Sequence, residues 1–270
     1  WRKEVLAGRR FKFGKNWKYF LQSLSEEKIT AAIKSMQEYL EIQSLDGKTF
    51  LDIGCGSGLM SLAARKLGAK VLSFDYDKNS VECTRILKEF YFKDDINWTI
   101  EEGSVLNKDY LKTIGKFDFV YSWGVLHHTG SMSTALDNVL IPLSLDNGVL
   151  AIAIYNQNGV ETDFWKKVKS FYNKDLLSSL LIKIVFIPYF TFRSLLGGLI
   201  KHFNPLFVFL NYRNKRGMNV YNDWIDWLGG YPFEAAKAEE IFNFYKSKGG
   251  KLTNLITNNE NGNNQFVFQF

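Results

Sequence analysis

Apolar and polar positions follow two alternating periods along the first 155 residues. From residue 26 to 42 apolar side chains recur every three to four positions, which predicts an amphipathic helix. Short apolar runs then alternate with helical patterns. Strands are expected at Thr49–Ile53, Val71–Phe74, around Trp98–Ile100, at Phe117–Tyr121 and at Val149–Ile154. Helices are expected after the first strand through Leu67, stopped by Gly68, then from about Asn79 to Phe92 and from about Ser131 to Leu143. Strands this apolar, separated by helices, are buried on both faces and so belong to a parallel sheet. The rhythm breaks after Tyr155 and returns with a helix from about Ala235 to Lys248. Two further strands, 251–257 and 265–270, flank an Asn-rich turn and predict an antiparallel hairpin.

The expectation is an α/β fold with seven strands, mostly parallel, ending in an antiparallel hairpin. Residues 1–44 form an N-terminal helical cap. Residues 45–155 and 233–270 form the core, and 156–232 a helical insertion, or lid, after strand five. Leu176 to Leu210 is apolar enough to raise a membrane-spanning reading. Lys183, Pro188, Arg193, Gly197-Gly198 and Lys201 interrupt it, so two or three lid helices are expected instead. Contact of this segment with a membrane surface or a lipid tail stays an alternative.

Composition adds three constraints. Two cysteines, Cys55 and Cys83, without metal-ligand spacing fit a reducing, cytoplasmic compartment, and no metal site is expected. The chain opens on Trp1 rather than Met, and a segment ahead of it is expected. The net charge of +6 is uneven. Seven basic residues against Glu4 fall within residues 1–18. Lys183, Arg193, Lys201, Arg213, Lys215 and Arg216 lie in 176–222, which has no acid, and the rest of the chain is net acidic. Such patches attract anions or membrane surfaces.

The stretch LDIGCGSG, residues 51–58, joins the first strand to its helix. Its glycines, Gly54, Gly56 and Gly58, let backbone pass close to a ligand. The spacing differs from the G-x-G-x-x-G of dinucleotide enzymes. Asp52 ends the strand, and a carboxylate there repels a pyrophosphate but suits a cationic cofactor. Asp75 ends strand two, where an acid hydrogen-bonds a ribose diol. Residues 49–155 thereby resemble the class I S-adenosylmethionine-dependent methyltransferases, which have a Rossmann-like fold. The resemblance rests on this motif, FDYD at 74–77, GSVLN at 103–107, FDFVYSWGVLHHTG at 117–130 and DNGVLAIAIY at 146–155. It implies S-adenosyl-L-methionine as cofactor, with S-adenosyl-L-homocysteine as product. Gly54, Gly56 and Asp75 become cofactor contacts, Tyr76 lies against the adenine, and Ser104 and Val105 lie beside its edge. Asp52, Gly58 and Ser122 join them. Many members carry an acid where this chain has Ser104, which weakens an adenine-amino contact there. A segment before the first strand folds over the cofactor in relatives, with Phe13, Asn16 and Trp17 as the candidates here.

Acceptor residues are expected at the carboxyl ends of strands four and five. His127 and His128 are candidates for proton removal, His128 ahead. Tyr155, Asn156, Trp224, Tyr231 and Asn264 are candidates for the acceptor pocket. Arg213 and Arg216 would hold an anionic acceptor, with a carboxylate the sharpest version. The expected activity is O-methylation of a small-molecule or peptide acceptor. A nucleic-acid methyltransferase is disfavoured because SWGVLHH replaces the Pro-Pro-aromatic signature of amino-directed base methyltransferases. A non-catalytic scaffold has no need of the two carboxylates.

Overall fold

The structure, a computed structural model, describes residues 2–12, 24–207, 209, 220–258 and 262–270. Phe13, Asn16, Trp17, Arg213 and Arg216 therefore lie outside the described residues.

Seven strands form one sheet in the order β3-β2-β1-β4-β5-β7-β6. They are β1 (Thr49–Ile53), β2 (Lys70–Asp75), β3 (Trp98–Glu102), β4 (Phe119–Trp123), β5 (Val149–Tyr155), β6 (Lys251–Ile256) and β7 (Asn263–Gln269). The first five run parallel, while β7 is antiparallel to β5 and β6 antiparallel to β7. This is the Rossmann-like arrangement expected. Chain direction across the sheet reverses between β1 and β4, which makes a crevice at their carboxyl ends.

Helices cover both faces: α1 (Arg2–Leu6), α2 (Glu26–Leu40), α3 (Leu59–Lys66), α4 (Lys78–Tyr91), α5 (Lys108–Thr113) and α6 (Met132–Asn138). Then come α7 (Gly159–Tyr172), α8 (Leu176–His202), α9 (Val220–Gly229) and α10 (Ala238–Lys246). Pleat alternation sorts the core. Phe50, Tyr121 and Val267 face α2 and α3, whereas Leu51, Val120 and Phe268 face α5, α6 and α10. A third cluster joins α7, α8 and α9 through Trp165, Tyr172 and Leu228, with Phe11, Tyr155, Phe186 and Trp227 packed on it.

Three details depart from the expectation. β4 starts at Phe119, because Phe117 makes an isolated bridge with Leu143 instead. Helix α5, capped by the Asn107 side chain accepting the Tyr110 N–H, was too short to leave a periodic signal. The third departure is α8, a single helix of 27 residues that passes through Pro188 and Gly197-Gly198. Packing of its inner side before and after the proline outweighs one lost hydrogen bond. Gly198 serves a close approach rather than a break: a Cβ there would lie 2.6 Å from the Asn204 carbonyl oxygen, where the chain turns back.

Candidate functional site

The carboxyl ends of β1, β2, β4 and β5 open onto a cleft of about 340 Å³. Gly54 and Gly56 line it after β1, Asp75 and Tyr76 at the end of β2, and Ser104 and Val105 after β3. Trp123, Gly124 and Val125 follow from β4, with His128 beyond, and Tyr155 from β5. Arg10, Phe11, Asp226 and Asn263 are among the other lining residues.

The turn after β1 is built by backbone. Gly54 has φ +80°, and a Cβ on it would meet both methyls of Val125 at 2.5 Å. The Gly54 and Cys55 N–H groups donate to the Phe74 carbonyl, pinning the turn to β2. The Asp75 carboxylate accepts from the Gly56 N–H at 3.0 Å and the Asp77 N–H at 2.8 Å. These bonds fix its orientation at the cleft wall. Burial raises its pKa to about 6, against the lowering effect of the two N–H donors.

Asp52 does not line the cleft. It is buried and accepts from Ser61 Oγ at 2.5 Å; Ser61 accepts from Ser73 Oγ, which accepts from Trp98 Nε1. Burial first, then the Asp75 charge, raises its pKa to about 7. Gly58 lies behind the turn, ahead of α3, where a Cβ would press on Thr84 at 2.8 Å. Ser122 is buried and donates to the Ile53 carbonyl, tying β4 to β1. These three residues support the turn and do not reach the lining.

The histidines divide. His128 lines the cleft, and its Nδ1 lies 2.6 Å from the Pro232 carbonyl oxygen. A carbonyl only accepts, so Nδ1 carries the hydrogen and the neutral ring keeps its lone pair on Nε2. Burial drives the His128 pKa down to about 3, so the ring is neutral near pH 7. His127 is fully buried behind it, and its Nδ1 accepts the Tyr155 N–H at 3.3 Å. Its Nε2 is buried without a hydrogen-bond partner among the described residues. The Tyr155 ring packs on both histidines and on Trp227 and Phe233.

Other expected acceptor residues sit elsewhere. Asn264 is buried; it donates to Asn156 Oδ1 and accepts the Asn258 N–H. Its neighbour Asn263 lines the cleft, with Oδ1 buried and unpartnered among the described residues. Trp224 packs on Phe190, while Asp226, half a turn further, reaches the lining. The Tyr231 carbonyl accepts the Phe11 N–H.

Arg10 was not expected. Its guanidinium donates to Glu4 and to the His128 and Thr129 carbonyls, and lies 5.0 Å from the centre of the Tyr76 ring. The N-terminal segment thus reaches the cleft wall at Arg10 and Phe11 and is latched to the loop carrying His128.

Residues 24–203 match a family model described as a methyltransferase domain. Curated relatives include the ribosomal protein L11 methyltransferase of Helicobacter hepaticus, 49% identical over 49 residues. That stretch covers 18% of this chain and 16% of the relative. The enzyme of the same name from Thermotoga maritima is 34% identical over 32% of this chain and 29% of its own length. The chain thus matches less than a third of either relative. Among solved structures, a SAM-dependent methyltransferase from Anabaena variabilis superposes over 100% of this chain and 91% of its own, with TM-score 0.54 and 11% identity. Magnesium protoporphyrin IX methyltransferase from Synechocystis, with bound SAH, gives 0.51 over 94% of this chain and 85% of its own at 15% identity. These two likenesses are likenesses of fold.

Proposed function

Because the chain belongs to the class I S-adenosylmethionine-dependent methyltransferases, we propose that it O-methylates a hydroxyl on a small-molecule or peptide acceptor, with His128 taking the proton. S-adenosylmethionine is its cofactor. When bound, it supplies a methyl group on a sulfonium, electrophilic without further activation.

The cleft suits that cofactor on two counts. Its wall offers an oriented carboxylate, Asp75, to a diol, and it is lined by the backbone of Gly54 and Gly56, where Val125 leaves no room for a Cβ on Gly54. Arg10, the cation on the lining, already donates to two carbonyls and a carboxylate, which leaves little for a pyrophosphate. Tyr76 and Val105 would hold the adenine, and Gly54 and Gly56 the methionyl part. Residues 156–232 would act as a lid that orients the acceptor and excludes water, with Tyr155 and Asp226 facing it.

The observation that carries the proton-transfer reading is the Pro232 carbonyl at His128 Nδ1, which leaves Nε2 as the accepting nitrogen on a ring that lines the cleft. An acceptor hydroxyl must lose a proton as the bond to carbon forms, and a placed base contributes about 10²–10⁴ in rate. A carboxylate acceptor needs no base. That alternative rests on Arg213 and Arg216, outside the described residues, and so on charge composition alone. The test is a panel of hydroxyl and carboxylate acceptors with the native chain and His128→Ala. A hydroxyl acceptor predicts a kcat lower by about 10²–10⁴ with cofactor affinity kept. An unchanged kcat on the best acceptor would overturn the assignment.

A further inference from the structure

Helix α8 is apolar on both of its sides. The inner side, through Ile182, Phe186, Ile187 and Phe190, packs with Trp165 and Trp227. The outer side carries Leu177, Leu181, Ile184, Phe192, Leu196 and Ile200, spaced by threes, fours and eights, and all are exposed. The stripe runs on to Phe203, at 92% exposure. A helix that borders water normally turns a polar face to it, and one apolar all round is normally enclosed. By length and composition α8 is also able to cross a membrane.

Three observations select the occupant of this face. First, no Asp or Glu occurs from Leu176 through Asn222, while Lys183, Arg193 and Lys201 lie in the helix itself. Second, Arg193, Lys201 and His202 line one hollow of about 310 Å³ with Phe190 and Trp224. A cationic hollow beside an apolar stripe matches the headgroup and acyl layers of an anionic bilayer. A second copy paired on this face would bring together two surfaces that both carry cations and, from 176 to 222, no acid to answer them. Third, Ile182, Phe186, Ile187 and Phe190 pack on Trp165 of α7 and on Trp224 and Trp227 of α9, which ties this stretch of α8 to the protein and favours a flat contact over a span. At about 1.5 Å per residue its 27 residues reach about 40 Å, a long contact when laid flat.

We propose that the outer face of α8 docks in the plane of an anionic lipid bilayer, with Arg193, Lys201 and His202 at the headgroups. This goes beyond the methyl-transfer reading and does not depend on it. The test is cosedimentation of the full chain with vesicles of phosphatidylcholine, alone or mixed with phosphatidylglycerol. Binding to the mixed vesicles, weakened by salt and by omission of phosphatidylglycerol, is expected. Ile184→Glu with Phe192→Glu should abolish it while S-adenosylhomocysteine binding, read by calorimetry, persists. Arg193→Ser with Lys201→Ser should weaken partitioning onto anionic vesicles on the order of fivefold per cation. Hydrogen exchange of the native chain needs no variant, and vesicles should slow exchange in α8. Absence of binding to either vesicle overturns the proposal. So does a dimer in sedimentation that Ile184→Glu dissociates while vesicles leave α8 exchange unchanged, which would assign the face to a second copy.

Discussion

Asp75 and His128 both line the same cleft, and burial moves both toward their neutral forms. For Asp75 the ionised form is the useful one, since a carboxylate accepts two hydroxyl donors. With its pKa raised to about 6, the free protein loses that acceptor as the pH drops below about 6. S-adenosylmethionine affinity should therefore be flat above pH 7 and fall toward tenfold per unit at low pH. Asp75→Asn should bind about 1.5–3 kcal/mol more weakly near pH 7 and lose this dependence. Calorimetry across about pH 5–8 reads both, and an unchanged slope in the variant would remove Asp75 from the cofactor site. For His128 a pKa of about 3 keeps the ring neutral but also makes it a weak base, so the reading requires the proton to leave in concert with methyl transfer rather than ahead of it. The kcat profile should thus lack an inflection near 6.5, the ordinary histidine value. A loss of rate through that pH, absent in His128→Gln, would show that the ring titrates there and would contradict the buried setting. At this scale the sequence identified the strand-end residues that point into the cleft, Asp75, Tyr76, Val105 and His128. It did not resolve parity. Asp52 and Ser122 also end strands but turn into the protein, and Asn264 was named where Asn263 lines the cleft. A shift of one residue reverses the face, and an Asn-rich turn does not fix its own length.

Elements were legible where one period dominates. β1, β2 and β5 and the helices after β1 and β2 emerged within a residue or two because apolar runs and glycine stops coincide, whereas the helix expected to run to Leu143 ends at Asn138. The unity of α8 was hidden because proline and paired glycines are read locally as breaks, whereas packing of a long inner side decides. The N-terminal latch was hidden for another reason. Arg10 makes its contacts 118 and 119 residues away, and no periodicity marks such a contact. That latch gives a prediction at the scale of the element. Arg10→Ala removes two charge-assisted bonds to the His128 and Thr129 carbonyls and the cation over Tyr76. Charge-assisted bonds contribute about 1.5–3 kcal/mol each, discounted here because the segment also holds through the Phe11 N–H to Tyr231. We expect S-adenosylmethionine to bind about tenfold more weakly, mostly through faster release, because the segment that lines the cleft with Arg10 and Phe11 loosens. Stopped-flow displacement measures the release rate. A rate equal to the native one would mean that the segment does not cover the cofactor.

The buried titratable groups act on the whole molecule through its stability, and their signs differ. His127 and His128 are held below 6.5, so the unfolded chain binds more protons and stability rises with pH up to about 6.5. Asp52 and Asp75 are held above 3.8, at about 7 and about 6, so the folded chain binds more protons and stability falls with pH over nearly the same range. The two pairs largely offset one another. Lys169 acts in a window of its own. It is buried, its Nζ donates to the Trp227 carbonyl, and it lies 4.0 Å from the centre of the Trp227 ring and 4.8 Å from that of Phe233. Burial lowers its pKa from 10.5 to about 7, against the raising effect of Asp226. Between these values the unfolded chain is protonated and the folded chain is not, so stability increases with pH. Below about 7 both states are charged, and the full burial cost is felt. The gain is bounded by one proton, about 1.4 kcal/mol per pH unit. Cys55 and the buried Tyr121 and Tyr245 are pushed above their ordinary values, and they reverse the trend at higher pH, where the unfolded chain ionises first. Urea denaturation should therefore give a midpoint that climbs from about pH 7 to about pH 9 and then falls. Lys169→Met keeps the volume and removes the charge. It should flatten the climb and match or exceed native stability near pH 7, because an apolar group costs less to bury than a charged one. A variant that still climbs as the native chain does would place the titrating group elsewhere.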